Sequence, residues 1–137
     1  MTPIPVSVIV VSRDRPKALV RCVTALGQLR YPCFEVIVVA DQNGVAAIRK
    51  FALGAAIKCI PFDEANISAA RNTGILHAAG EIVAFIDDDA VPEPSWLTYL
   101  TEPFRYRDVG AAGGYVRARN GISYQWKART IDAEGVE

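Results

Sequence analysis

The chain has 137 residues, of which 51% are hydrophobic and 22% charged, so it can build one domain with a real core. Fifteen basic residues balance fifteen acidic ones, and neither a basic excess nor a charge run points to nucleic acid or to a charged tail. No apolar run approaches the ~20 residues that cross a bilayer, and Val6–Val11 lacks both the basic lead and the small cleavage-site residues of a signal peptide. Three cysteines, Cys22, Cys33 and Cys59, lie far apart with no CxxC pair. That argues against zinc or a disulfide framework, and it fits a reducing, cytoplasmic compartment with small buried thiols, membrane association through a longer parent chain being the alternative.

Val6 to Val11 is β-branched and almost wholly apolar, the pattern of a strand buried on both faces. Ser12-Arg13-Asp14-Arg15 is the loop after it, and Pro16 suits the first position of a helix. Leu19, Cys22, Val23, Leu26 and Leu29 recur at helical spacing, and Tyr31-Pro32 would end that helix. Phe34 to Ala40 is a second strand, followed by the polar loop Asp41-Gln42-Asn43-Gly44. Val45 to Leu53 reads as a short helix stopped by Gly54, and Ile57 to Ile60 as a third strand. Asn66 or Ser68 can cap a helix running to about Ala79, with Gly80 as its stop. Ile82 to Ile86 is a fourth buried strand that runs into Asp87-Asp88-Asp89. Pro94-Ser95-Trp96 starts a helix to roughly Phe104, and Val109 to Val116 is a strand thinned by glycine. Residues 117–137 are poorly patterned; Tyr124 and Trp126 there either pack on a core or line a pocket.

Strands and helices alternate, with connections of the length that joins parallel strands. The expected fold is α/β: a mostly parallel, Rossmann-like open sheet with helices on both faces. Right-handed crossovers bring the C-terminal strand ends to one edge, where open α/β sheets bind ligands. Ser12, Arg13, Asp41, Asn66 to Arg71, and Asp87 to Asp89 all follow strands on that edge.

Three adjacent aspartates repel, and a hard divalent cation such as Mg²⁺ or Mn²⁺ relieves the repulsion. Such ions often take one or two carboxylates and complete their shell with water and substrate phosphate, so the stretch suggests a metal–diphosphate site; a solvated acidic loop is the plain alternative. Asp41 can accept from a base or ribose, or it can cap the next helix. Arg71 lies in the first turn of its helix, where a cation is unfavourable, which a facing phosphate explains; an ion pair with Asp63 or Glu64 is the other reading. Asn72 orients the aspartates or caps locally. No G-x-x-x-x-G-K-[ST] loop, G-x-G-x-x-G turn or G-x-S-x-G elbow occurs, and His77, the single histidine, sits deep in a helix.

Taken together in order and spacing, several segments resemble the N-terminal half of a glycosyltransferase family 2 domain with the GT-A fold. They are Val6-Ser7-Val8-Ile9-Val10-Val11-Ser12 with Arg15-Pro16, Phe34 to Asp41, Ala69-Ala70-Arg71-Asn72-Thr73-Gly74, Gly80-Glu81 to Asp89, and Pro92-Glu93-Pro94-Ser95-Trp96-Leu97. The resemblance covers roughly residues 5 to 116. It implies a nucleotide-diphosphate sugar donor, an acceptor of unspecified class, and a Mn²⁺ or Mg²⁺ cofactor. By position, Asp41 would contact the base, and Asp87-Asp88-Asp89 would be the D-x-D element. Asp88 would approach the ribose and Asp89 would bind the metal, with Ser12 and Arg13 flanking the nucleotide. The family usually transfers with inversion, the metal stabilising the leaving diphosphate.

Three departures stand out. Val11-Ser12-Arg13-Asp14 replaces a Pro-Thr-Tyr-Asn-like loop, and Ala40 replaces the first of two aspartates. A complete domain of this family also continues well past 137 residues, into an acceptor side with a general-base carboxylate. Asp132 and Glu134 do not sit in that context, so the base is unassigned. Residues 1–116 then read as a donor-binding half and 117–137 as the start of the acceptor side or an irregular tail. A non-catalytic nucleotide-binding or interaction module is the alternative. A nucleotidyltransferase is disfavoured, because the loop after the first strand has arginines but no glycine.

Overall fold

The apolar runs become β1 (Val6–Ser12), β2 (Phe34–Ala40), β3 (Ile57–Pro61) and β4 (Ile82–Asp87). In the computed structural model of the chain they form one parallel sheet in the order β3-β2-β1-β4. Residues 2–51, 56–106, 108–113, 116–117, 124–126 and 129–132 are described, the last three ranges as backbone only. The described residues divide into two compact units, Met1–Pro94 and Ser95–Glu137.

Register carries the first unit's functional geometry. Ser12 lies opposite Ala40, Val11 opposite Asp87, and Ala40 opposite Pro61. The four strands therefore finish side by side, and the loops that follow them leave from one edge. Between strands come α1 (Pro16–Leu26), α2 (Gln42–Phe51) and α3 (Ile67–Leu76). The stripe Leu19, Cys22, Val23 and Leu26 is buried as expected. The helix stops at Gly27, short of Tyr31-Pro32, because the last turn tightens, with Gln28 N–H donating to the Ala25 carbonyl at 3.0 Å.

Helices cover both faces. α2 begins where a Cβ on Gly44 would stand 2.9 Å from Ala40 Cβ and 3.2 Å from Leu19 Cδ2, so it shares a face with α1. On the other face Ala70 of α3 joins Ile9, Ile37 and Val39 in one buried cluster. There a Cβ on Gly74 would meet Ile9 Cγ2 at 2.7 Å. The small residues of α3 let the helix lie directly on the sheet.

Four local expectations change. α2 starts at Gln42, not Val45, because Asp41 caps it; the expected stop at Gly54 lies outside the described residues. α3 ends at Leu76, not near Ala79, with His77 as its C-terminal cap. Gly80 is therefore no helix stop. A Cβ there would meet Ser7 N at 2.6 Å and the Val6 carbonyl carbon at 2.7 Å, so glycine is needed for close approach to β1. β4 is buried on one face only: Ile82 and Ala84 are enclosed, whereas Phe85 is 45% exposed. It borders the sheet among the described residues, and the Arg71 guanidinium lies 5.8 Å from the Phe85 ring centroid.

A polar clamp ties the opposite, N-terminal edge of the sheet. Ser7 Oγ donates to Glu35 Oε2 at 2.6 Å, Ala79 N–H donates to the same oxygen at 2.7 Å, and Lys58 Nζ is 2.9 Å from Oε1. Ser7 Oγ in turn accepts from Gly80 N–H at 2.8 Å. Burial alone would raise the Glu35 carboxyl, but the hydrogen bonds from Ser7, Ala79 and Lys58 outweigh it and bring the pKa from 4.5 to about 2. A carboxylate more acidic folded than unfolded stabilises the fold above its unfolded pKa. Its contribution is lost as pH falls from 4.5 towards about 2. Discounted for the exposed Lys58 side, that is about 2 kcal/mol. Urea midpoints should drop between about pH 6 and about pH 3, and Glu35→Gln should flatten this part of the profile. An unchanged slope in that variant would remove Glu35 as the cause.

The second unit contains α4 (Trp96–Thr101), a 3-10 turn (Glu102–Arg105), β5 (Val109–Gly113), β6 (Val116–Arg117), β7 (Tyr124–Trp126) and β8 (Arg129–Asp132). The expected single helix to Phe104 divides near Pro103, which cannot supply an α-helical N–H. Of the expected strand from Val109 to Val116, Val116 belongs to β6 and residues 114–115 lie outside the described residues, which leaves β5. It pairs antiparallel with β8 instead of joining the parallel sheet, and β6 pairs with β7. The stretch after residue 117, unpatterned in sequence, thus supplies two strands. The side chains of Tyr124, Trp126 and Asp132, and all of Glu134, lie outside the described residues.

Candidate functional site

Every candidate side chain lies in Met1–Pro94 at the C-terminal edge of the parallel sheet. β4 carries the aspartates out of the sheet, and Ala90 N–H donates to the Asp87 carbonyl at 3.0 Å, closing a turn over them. Alternation along this turn separates the three. The side chains of Asp87 and Asp89 are 75% and 64% exposed, whereas that of Asp88 is 10% exposed. Two carboxylates thus face solvent with a buried one between them.

Asp88 is held from both sides. Ser12 Oγ donates to Asp88 Oδ2 at 2.8 Å, and Arg15 Nη1 is 3.4 Å from Asp88 Oδ1. The same Arg15 nitrogen lies 3.6 Å from Asp89 Oδ2. Arg71 Nη2 stands 3.9 Å from Asp87 Oδ1. Arg71 is the fifth residue of α3, past the first turn expected for it, and its side chain reaches Asp87 and the Phe85 ring, so its ion pair is with Asp87 in place of Asp63 or Glu64. Guanidinium groups supply the positive charge that the aspartate run calls for. Cys22 lies beneath this cluster, its Sγ 3.5 Å from the Asp87 carbonyl oxygen. Burial, and then the carboxylates of Asp88, Asp89 and Asp87, push its thiol up to about 12, so it is an inert core group. All three cysteines are free.

A second group gathers after β2. Asp41 Oδ2 accepts from Asp14 N–H at 2.9 Å, and Oδ1 accepts from Gly44 N–H at 3.0 Å. The Asp14 amide, more than the Gly44 amide, holds the Asp41 carboxyl below the ordinary carboxylate range against the opposing effect of burial. Asp14 has φ 58°, a left-handed conformation that aspartate tolerates better than most residues. Arg13 Nη1 donates to the Asp63 carbonyl at 2.7 Å, and Asp63 Oδ1 accepts from Gln42 N–H at 3.3 Å. These contacts frame an open polar cleft of about 240 Å³ lined by Arg13, Asp14, Asp41, Gln42, Asn43 and Asp63.

The two groups flank β1. Strands lie about 4.8 Å apart, so the ends of β2 and β4 are about 10 Å apart, a separation one nucleotide can bridge. Ser12, Asp88, Asp89, Arg71 and Asp87 form one cluster, and Arg13 and Asp41 form the other, joined by the Ser12–Arg15 loop. Arg15, Asp14 and Asp63 join the site although the sequence gives no motif for them there. Arg15 was signalled only as part of Arg15-Pro16, and Asp63 only as a partner for Arg71. Among the described residues no three His, Cys, Asp or Glu side chains gather to hold an ion unaided. Two exposed carboxylates of the right hardness fit a cation that takes most of its ligands from water and phosphate. Among the described residues no helix is long and apolar enough to cross a membrane.

A family model described as Glycosyl transferase family 2 matches residues 7–135. The O-antigen biosynthesis protein RfbC of Myxococcus xanthus is 33% identical over 114 residues, covering 79% of this chain and 9% of the relative. Glycosyltransferase AglE of Haloferax volcanii is 34% identical over 118 residues, covering 81% of this chain and 39% of the relative. Among solved structures, the mannosyltransferase PcManGT of Pyrobaculum calidifontis, in complex with GDP-Man and Mn²⁺, superposes with a TM-score of 0.78 at 25% identity, covering 86% of this chain and 37% of that one. TarS 1-349 of S. aureus, in complex with UDP-GlcNAc, gives a TM-score of 0.67 at 24% identity, covering 77% and 33%. The neighbours are GT-A glycosyltransferases, and the four-stranded parallel sheet with its helices is the corresponding part of that fold.

Proposed function

Because this chain belongs to glycosyl transferase family 2, we propose that residues 1–116 form the nucleotide-sugar side of a metal-assisted, inverting glycosyltransferase. On this reading residues 117–137 begin the acceptor side, and the protein works in the cytoplasm. The observation that carries the reading is the placement of a polar cleft at Asp41 and of the solvent-facing pair Asp87 and Asp89 on one sheet edge, on either side of β1. The complex of PcManGT with GDP-Man and Mn²⁺ supports it, as a similar fold holding that class of donor.

The roles follow from position. Asp41, anionic and fixed by two amides, accepts from the donor base, and Arg13 lies along the same cleft. Ser12 orients Asp88, whose carboxylate approaches the ribose once its Arg15 contact loosens. Arg71 and Asp87 stand beside the diphosphate. Asp89 would hold Mn²⁺ or Mg²⁺, and such an ion would supply charge neutralisation for the leaving diphosphate. In the transfer, an acceptor hydroxyl oxygen bonds to the anomeric carbon as that carbon's bond to the diphosphate oxygen breaks. The hydroxyl proton passes to a base outside the assigned residues.

Calorimetry with UDP-, GDP- and dTDP-sugars, with and without Mn²⁺, tests the reading. Binding of at least one donor, strengthened about tenfold or more by Mn²⁺, is expected. Indifference to all three donors at millimolar concentration would reject it. Binding without sugar transfer in the full-length protein would instead favour a non-catalytic nucleotide-binding module.

A further inference from the structure

Taking the donor-site reading as given, we propose that Arg15 is a stand-in for the cation, holding Asp88 and Asp89 until metal and diphosphate enter together. Arg15 is the residue before the first turn of α1, and its carbonyl accepts from Leu19 N–H at 3.0 Å. A positive side chain at a helix N-terminus opposes the helix dipole, and the first turn of α1 holds no acidic residue to offset it. Helix stability therefore does not explain the placement. The aspartates do, since a single guanidinium nitrogen lies 3.4 Å from Asp88 and 3.6 Å from Asp89.

Both contacts are longer than the 2.7–2.9 Å of a firm charge-assisted hydrogen bond. The Arg15 side chain is 59% exposed and makes no side-chain cap. It is thus loosely held on the outer carboxylate and can leave it, while Ser12 keeps Asp88 in place at 2.8 Å.

The charge balance gives the consequence. Arg15 and Arg71 face three carboxylates, leaving the cluster with one negative charge. A divalent cation alone would make it positive, and the diphosphate of a donor would return it to negative. Arg15 released from Asp89 then offers its N–H groups to the diphosphate. Cation and nucleotide each bind weakly alone and strongly together, and Arg15 carries part of that coupling.

The test is Mn²⁺ binding by electron paramagnetic resonance, on wild type, Arg15→Gln and Arg15→Lys, without nucleotide and with saturating UDP or GDP. Arg15→Gln should bind Mn²⁺ alone about fivefold more tightly, the effect of one exposed charge. The gain in Mn²⁺ affinity on adding nucleotide should shrink about tenfold, and Arg15→Lys should stay near wild type. An Arg15→Gln protein with the wild-type Mn²⁺ affinity and the wild-type nucleotide effect would overturn the proposal while leaving the donor site standing. A wild type that binds no Mn²⁺ even with nucleotide would overturn both.

Discussion

Replacing Asp89 with alanine should abolish the part of donor binding that depends on Mn²⁺, weakening it about thirtyfold or more, while nucleotide binding without metal changes by less than about threefold. The asymmetry follows from the three aspartates' different surroundings. Asp88 is enclosed and bound to Ser12, so its loss would leave a buried hydroxyl without its partner. Asp87 is paired with Arg71, and Asp89 is touched only by the loose Arg15 contact among the ion pairs at this turn. A solvent-facing carboxylate without a firm structural partner can be removed at little cost to the fold. Stability of Asp89→Ala should stay within about 0.5 kcal/mol of wild type, so lost affinity would report on the site itself. The thirtyfold figure corresponds to about 2 kcal/mol, the scale of one charged ligand contact. Calorimetric titration of the strongest donor with and without Mn²⁺ measures both arms. Metal-dependent binding that survives in Asp89→Ala would take the cation away from Asp89 and move it to Asp87.

The parts of the fold that repeat a local rule were open to reading from sequence. β1 and β2 are unbroken β-branched runs, and the α1 stripe has the helical period, so their cores followed directly. The same topology argument placed Ser12, Asp41 and Asp87 on one edge, and the strand register bears that out. What sequence did not disclose depends on chain segments meeting in space. Asp88 and its neighbours are chemically identical; only the turn after β4 buries one and exposes two. Arg15 and Asp63 acquire partners because the loops after β1 and β3 lean over the sheet edge. Gly80 looked like a helix stop because a glycine after a helical run usually is one, whereas its contact with β1 spans 73 residues. For Val109 to Gly113, a glycine-thinned strand pattern does not name its partner, and the partner is β8.

Asp41 is where two roles open in the sequence converge in one side chain. It caps α2: Gly44 N–H reaches Oδ1, and Val45 N–H reaches the main-chain carbonyl at 3.0 Å. It also fixes the left-handed Asp14 through Oδ2 and lines the polar cleft. Two variants separate these functions. Asp41→Ala removes every side-chain acceptor, and it should cost about 1–2 kcal/mol of stability and at least about tenfold in nucleotide affinity. Asp41→Asn keeps a capping oxygen, since asparagine caps helices as well as aspartate does, so stability should fall by less than about 1 kcal/mol. The amide cannot accept from Gly44, Asp14 and a base N–H together, and it carries no charge. Its nucleotide affinity should therefore fall nearly as far as that of the alanine variant. Denaturation midpoints and calorimetry on the same preparations give the comparison. If Asp41→Asn binds nucleotide like wild type and only Asp41→Ala is impaired, Asp41 serves the helix alone, and base recognition passes to Asp63 or Arg13 in the same cleft.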